Sequence, residues 1–183
     1  MLFDLLLAPI ALMAAVVLFL LNPMFNQGVL LYRQTRMGKG CRPFTAYKFR
    51  SMKEVASVKR GAFDDLEEDR ITKLGALMRK LRIDELPQLI NILKGEMSLV
   101  GPRPDFIDHA NVYMVEIPGY CERYAVRPGV TGLAQTEVGY VSDELGFRRK
   151  VAADLQYITK MSFLFDLKVI FRTFVIVVAR HGR

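Results

Sequence analysis

Apolar residues fill positions 1–21 almost without a break, and Asp4 is the only charged side chain among them. A helix needs about 20 such residues to cross the hydrocarbon layer of a membrane. Two features interrupt the run. Pro9 removes a backbone donor and bends any helix that contains it, and Asn22-Pro23, followed by more apolar residues and Gly28, is a second break. The segment is therefore expected either to span a membrane or to enter and leave by the same face, and the pattern alone favours spanning. The first basic residue is Arg33, so the charged start of a cleaved signal peptide is missing. All Lys and Arg follow the apolar run, which places the rest of the chain on the cytoplasmic side in either topology.

Beyond residue 28 the period changes. Val29 to Arg36 is rich in branched and aromatic residues and stops at Gly38-Lys39-Gly40; Phe44 to Met52 follows, so a β-hairpin is expected. Alternation puts Phe44, Ala46, Lys48 and Arg50 on one face of the second strand and Thr45, Tyr47, Phe49 and Ser51 on the other. The two cations could flank an anion or simply face solvent. Lys53 to Asp69 is charge-rich and aperiodic, which reads as a mobile loop or a frayed helix. Ile71, Leu74, Leu77, Met78 and Leu81 then recur at helical spacing, with Arg79 and Arg82 near the helix end. A second helix is expected from Asp84 to Lys94, with Pro87 tolerated in its first turn and Gly95 as its stop. Its buried stripe would be Leu86, Leu89, Ile90 and Leu93. Met161 to Ala179 is mostly Leu, Ile, Val and Phe, punctuated by Asp166, Lys168 and Arg172, and it leads into the basic end Arg180-His181-Gly182-Arg183. A helix lying in the headgroup region is favoured there over one buried in the core.

At 183 residues the chain can bury one good core. Its 26 basic and 19 acidic residues leave a charge of +7, which favours an anionic partner. The basic residues are scattered among apolar ones and no nucleic-acid-binding module is recognisable, so nucleic acid is not expected. Cys41 and Cys121 have no metal-type spacing, and with only His109 and His181 beside them a zinc site is improbable; two free thiols are expected. His109, in the helix expected after Pro104, reads as a surface residue rather than a catalyst.

The chemistry concentrates in Arg82-Ile83-Asp84-Glu85-Leu86-Pro87-Gln88. If Asp84 caps the helix, both carboxylates sit at its N-terminal end, where the peptide dipoles favour negative charge. Side chains about 100° apart can serve different tasks: one carboxylate could attack a phosphorus atom while the other holds a metal ion. A plain acidic first turn is the simpler alternative. Gly101-Pro102-Arg103-Pro104 frames an arginine rigidly before any ligand binds, and a guanidinium fork matches phosphate oxygens. Arg127-Pro128-Gly129-Val130-Thr131-Gly132 repeats the idea. Together these runs favour a phosphate site.

Taken in order, the motifs resemble the bacterial sugar transferases, specifically the small monotopic phosphoglycosyl transferases. The likeness runs through Phe3-Asp4, Tyr32-Arg33-Gln34, Pro43-Phe44, Tyr47-Lys48-Phe49-Arg50-Ser51-Met52 and Asp84-Glu85-Leu86-Pro87-Gln88. It continues through Asn91, Leu93-Lys94-Gly95-Glu96-Met97-Ser98, the two arginine–proline runs, Asp154 with Tyr157, and Ser162-Phe163 with Asp166-Leu167-Lys168. The resemblance implies an α+β, mostly helical fold: an N-terminal re-entrant membrane helix–break–helix over 1–28, then a catalytic domain over 29–183 with a small β-hairpin, catalytic helices and interfacial amphipathic helices. It implies that Asp84 attacks the β-phosphorus of a UDP-sugar and expels UMP. A polyprenol phosphate, such as undecaprenyl phosphate, would then take the phosphosugar. Glu85 would hold Mg²⁺, with Asp84 as a second candidate ligand, while Lys48, Arg50, Arg79, Arg103 and Arg127 would contact phosphates or headgroups. The implied location is the cytoplasmic face of the bacterial inner membrane, in contact with membrane lipid.

Two positions depart from that family. The internal Ser-Pro of its membrane helix is absent, which leaves Pro9 and Asn22-Pro23 as the available breaks. Leu133-Ala134-Gln135 stands where Trp-Ala-Gln is usual, and the sugar is left open. The extra N-terminal helices of larger members have no counterpart, so a minimal catalytic unit is expected. Two rival classes use the same residues: a metal-dependent phosphohydrolase acting on a membrane lipid, and a non-catalytic module that binds anionic headgroups.

Overall fold

A computed structural model describes residues 13, 15–22, 24–26, 28–55, 61–65 and 67–179. Asp4, Pro9, Pro23 and the basic end 180–183 lie outside the described residues. The architecture is α+β and mostly helical, with one small antiparallel sheet. Residues 15–22 are helical, and the Asn26 N–H donates to the Asn22 carbonyl at 2.9 Å, so helical bonding carries on past that asparagine. Among the described residues no helix is long and apolar enough to cross a membrane. Leu18 is buried, packed with Phe49 and Met78, while Val16, Val17, Phe19 and Leu20 are exposed.

The expected hairpin forms. Strands β1 (Leu31–Met37) and β2 (Pro43–Phe49) pair antiparallel from Leu31 opposite Phe49 to Met37 opposite Pro43. The turn between them is a short 3-10 segment, Lys39–Cys41, in which Gly40 and Cys41 both take positive φ. Cys41 reaches Cys121 there, its thiol 3.9 Å from the Cys121 carbonyl, and both cysteines are free. Helix α1 (Lys73–Lys80) follows, capped by the Thr72 hydroxyl, which accepts from the Gly75 N–H. Gly75 is required by close approach: a Cβ there would sit 1.9 Å from the Ser51 carbonyl oxygen.

The next element differs from expectation. Asp84 does not cap an α-helix. Ile83–Gln88 is a 3-10 turn entered through Arg82, whose φ of 57° is left-handed, and α2 spans only Leu89–Leu93. Half of its expected apolar stripe is turned outward: Ile90 and Leu93 are exposed, Leu86 packs against the Leu18–Phe49–Met78 core, Leu89 is half-buried, and Gln88 and Asn91 are buried. Asn91 explains the inversion. Its side chain accepts from the Tyr47 N–H and donates to the Thr45 carbonyl, completing the free edge of β2. Those backbone groups would otherwise be buried without partners, so the polar face turns inward.

A second pair of strands was not foreseen. β3 (Ser98–Val100) and β4 (Gly129–Thr131) run parallel and bring the two arginine–proline runs side by side. The close approach needs glycine, because a Cβ on Gly129 would lie 2.1 Å from the Gly101 nitrogen. Helices α3 (Ile107–Glu116), α4 (Leu133–Glu137), α5 (Glu144–Lys160) and α6 (Phe163–Val178) complete the order. One core gathers Met37, Tyr113, Tyr120, Tyr124, Phe147 and Val151; another joins Val100, Leu133, Tyr157 and Val169. α6 is therefore partly a core helix, yet Leu164, Leu167, Phe171, Phe174 and Val178 on its other side are exposed. Ion pairing also holds the interior. Arg123 is inaccessible to solvent and bonds Asp105 at 2.5 Å and Asp154 at 2.7 Å.

Candidate active site

β2, α1, the 3-10 turn and the loop after β3 converge on a cleft of about 430 Å³. Lys48, Arg50, Arg79, Asp84, Glu85 and Arg103 all line it, together with Arg36, Arg82, Asp105 and Lys150. The 3-10 geometry matters here. At three residues per turn, Asp84 and Glu85 point about 120° apart and meet different surroundings.

Glu85 is surrounded by cations. Its Oε1 accepts from Lys48 at 3.0 Å and from Arg103 at 2.5 Å, and its Oε2 lies 3.4 Å from Arg82. Burial alone would raise its pKa, but Arg103, Lys48 and Arg82 outweigh burial and hold the carboxyl well below the usual range. Asp84 is the opposite case. It is 8% exposed, and its Oδ1 is buried with no hydrogen-bond partner among the described residues. Burial first, then the neighbouring Glu85, push its pKa up, against the pull of Lys48, Arg103 and Arg79. Glu85 Oε1 is thus held by two cations and its Oε2 only by a long contact, while Asp84 Oδ1 has no hydrogen-bond partner among the described residues.

The cations differ as well. Burial depresses Lys48 to about 8, although Glu85 opposes the shift. Arg103 is aimed by its frame: Arg36 donates to the Pro104 carbonyl at 2.5 Å, and Arg123 donates to the Arg103 carbonyl at 3.0 Å. Arg50 lines the cleft, but its guanidinium donates to the carbonyls of Asn26 and Val29, which ties β2 to the N-terminal segment. Arg127 is exposed, does not line the cleft, and lies beside Gly95. The structure therefore gathers Lys48, Arg79, Asp84, Glu85 and Arg103, gives Arg50 protein acceptors, and leaves Arg127 apart. His109 also lines the cleft, against Phe106 with ring centroids 5.3 Å apart.

Among the described residues no group of three or more His, Cys, Asp or Glu side chains is placed to hold a metal. Mg²⁺ commonly binds through one or two carboxylates plus substrate phosphates and waters, and such a set is available. Glu85 Oε2, with only a long contact to Arg82, and the adjacent Asp84 carboxylate fit that donor set.

The profile of the bacterial sugar transferases matches residues 1–180, and the chain belongs to that family. It is 44% identical over 175 residues to a UDP-glucose:undecaprenyl-phosphate glucose-1-phosphate transferase of Caulobacter vibrioides, covering 91% of this chain and 61% of that protein. It is 42% identical over 166 residues to a UDP-N-acetylgalactosamine-undecaprenyl-phosphate N-acetylgalactosaminephosphotransferase of Aeromonas hydrophila, covering 91% of this chain and 38% of that protein. An exopolysaccharide production protein of Rhizobium leguminosarum is 40% identical over 177 residues, with 93% of this chain and 86% of that protein covered. The chain thus spans less than two thirds of the first two relatives and most of the third.

Proposed function

We propose that this chain transfers a sugar-1-phosphate from a UDP-sugar to a polyprenol phosphate through an aspartyl-phosphosugar intermediate on Asp84. The observation that carries the reading is the contrast within the carboxylate pair. Asp84 lines the cleft with a carboxylate whose Oδ1 is buried without a hydrogen-bond partner among the described residues, while Glu85 is tied to Lys48, Arg82 and Arg103. A carboxylate shorn of hydrogen bonds is a better nucleophile than a solvated one, and once ionised it needs no base. An Asp84 oxygen attacks the β-phosphorus, the bond from that phosphorus to the bridging oxygen breaks, and UMP leaves. An oxygen of the lipid phosphate then attacks the same phosphorus and releases the Asp84 carboxylate. Lys48, Arg79 and Arg103 lie where they can offset the charge of a diphosphate. Mg²⁺, held by Glu85 with Asp84 alongside, would supply further charge neutralisation.

The relatives' names support the substrate class and divide between glucose and N-acetylgalactosamine, so the reading stops at a UDP-sugar. The exposed apolar residues of 16–20 and of α6 support contact with a lipid surface, with 1–28 as a re-entrant segment and the cleft on the cytoplasmic face.

Without lipid acceptor, the chain is expected to release about one equivalent of UMP per enzyme and then stop. Asp84→Asn should abolish that burst. Continuous release would instead identify a hydrolase, and no release a headgroup-binding module. Normal turnover by the Asn variant would sink the covalent route.

A further inference from the structure

Lys150 lies on α5 at 9% exposure and lines the same cleft as Asp84. Its ammonium stands over the Phe147 ring, 5.0 Å from the centroid. The carboxylates that act on it, Asp105 and Asp154, are both ion-paired with Arg123, though neither Asp154 oxygen has a hydrogen-bond partner, and among the described residues no carboxylate lies within ion-pair distance of Lys150. Most other buried or half-buried cations of the cleft have acceptors, with half-buried Arg79 the exception among the described residues. Lys48 and Arg103 share Glu85, Arg36 has Gln34 and Pro104, and Arg50 has Val29 and Asn26. A buried ammonium without an anion is costly, and contact with a ring face recovers only part of the loss. Burial accordingly draws the Lys150 pKa down, with Asp105 opposing. No anion pairs with Lys150 directly, and the cleft is where one can enter.

Its position suggests which anion. The main charges acting on Asp84 are Glu85, Lys48, Arg103 and Arg79; those acting on Lys150 are Asp105, Arg123, Arg103 and Asp154. Arg103 acts on both, and Asp84, Arg103 and Lys150 line the same cleft. The same cleft is also lined by Phe106, His109 and Tyr140, flat rings of the kind on which a nucleobase stacks.

We propose that Lys150 binds a phosphate oxygen of the donor's nucleotide half, the half that departs as UMP; this rests on the reading of the chain as a UDP-sugar transferase. The test uses the full chain in lipid nanodiscs, comparing wild type, Lys150→Met and Lys150→Arg. UMP affinity is measured by calorimetry, KM separately for UDP-sugar and for polyprenol phosphate, and stability by thermal melting. The Met variant is expected to bind UMP about tenfold more weakly, the order of one lost charge-assisted hydrogen bond. Its KM should rise for the UDP-sugar and not for the lipid. It should melt within a degree or so of wild type, because an apolar chain of similar length replaces a buried ammonium that no carboxylate pairs directly. Arg should restore most of the affinity. Unchanged UMP affinity in the Met variant overturns the proposal, as does a lowered melting point with both KM values moved together, the mark of a structural lysine. A KM change confined to the lipid assigns the ammonium to the lipid phosphate and overturns it too. If wild type fails to bind UMP, the donor reading itself falls and takes Lys150 with it; binding by wild type and Met variant alike removes Lys150 alone.

Discussion

Asp84 and Glu85 are adjacent in sequence and opposite in circumstance, and this predicts opposite effects on stability. Glu85→Gln removes the counter-charge of Lys48 and Arg103 and leaves buried cations unpaired, which should cost about 3 kcal/mol. Asp84→Asn removes a desolvated carboxylate without a partner and should leave the melting point level or raised. Thermal melts of the two variants side by side check both signs. Asp105 contributes to the response to acid. Burial would raise its pKa, but Arg123, Lys150, Tyr120 and Arg36 outweigh burial and hold it at about 2, below its ordinary 3.8. The folded state therefore binds fewer protons than the unfolded one between those values. The stabilisation, about 2 kcal/mol, is present above pH 4 and is lost as pH falls toward 2. Denaturant titrations from pH 5 to pH 2 should show that slope in wild type and a shallower one in Asp105→Asn, the remainder coming from Glu85, whose pKa is also lowered. Much of this residue scale was legible in advance. Prolines around Arg103 and the carboxylate pair after a basic helix end announce themselves by type. Lys150 did not, because Arg148-Arg149-Lys150 reads as a solvated run. Only its register with Phe147 and Asp154, three and four residues away on one helical face, marks it as inward.

Elements place those residues, and here close backbone contact decides more than hydrophobic pattern. Gly75 lets α1 lie against the Ser51 carbonyl, and α1 carries Arg79 to the cleft. Gly75→Ala forces a methyl into backbone and should destabilise by about 2–3 kcal/mol, read from the urea midpoint, with UMP release slowed as Arg79 is displaced. The hairpin was readable because seven-residue strands show a clear period. Strands β3 and β4 were not, since three residues carry no period, and their pairing depends on glycine contacts between distant segments. The α2 stripe misled for a different reason. Ile90 and Leu93 keep helical spacing, but the bonds of Asn91 to β2 decide which side faces in. Alternation put Arg50 on the cleft face of β2 and could not reveal that backbone carbonyls would take up its guanidinium.

Across the whole molecule, the exposed apolar side chains gather on 16–20 and on the outer side of α6, where Leu164, Leu167, Phe171, Phe174 and Val178 recur every three or four residues. Replacing Phe171 and Phe174 by Gln should weaken sedimentation with phospholipid vesicles and leave the melting point unchanged, since the buried contact of α6 is made by Val169 instead. One joint gives this arrangement a further meaning. Asn26 donates to the Arg50 carbonyl, Arg50 donates back to Asn26 and Val29, and Thr72 donates to the Asn26 side chain. The N-terminal segment, β2 and the start of α1 are thereby riveted at one point. If the segment floats in lipid, the cleft floats with it, and that rivet fixes its elevation above the acyl layer as a keel fixes a deck. Such an enzyme would be indifferent to how long a lipid's tail is and strict about how high its phosphate stands.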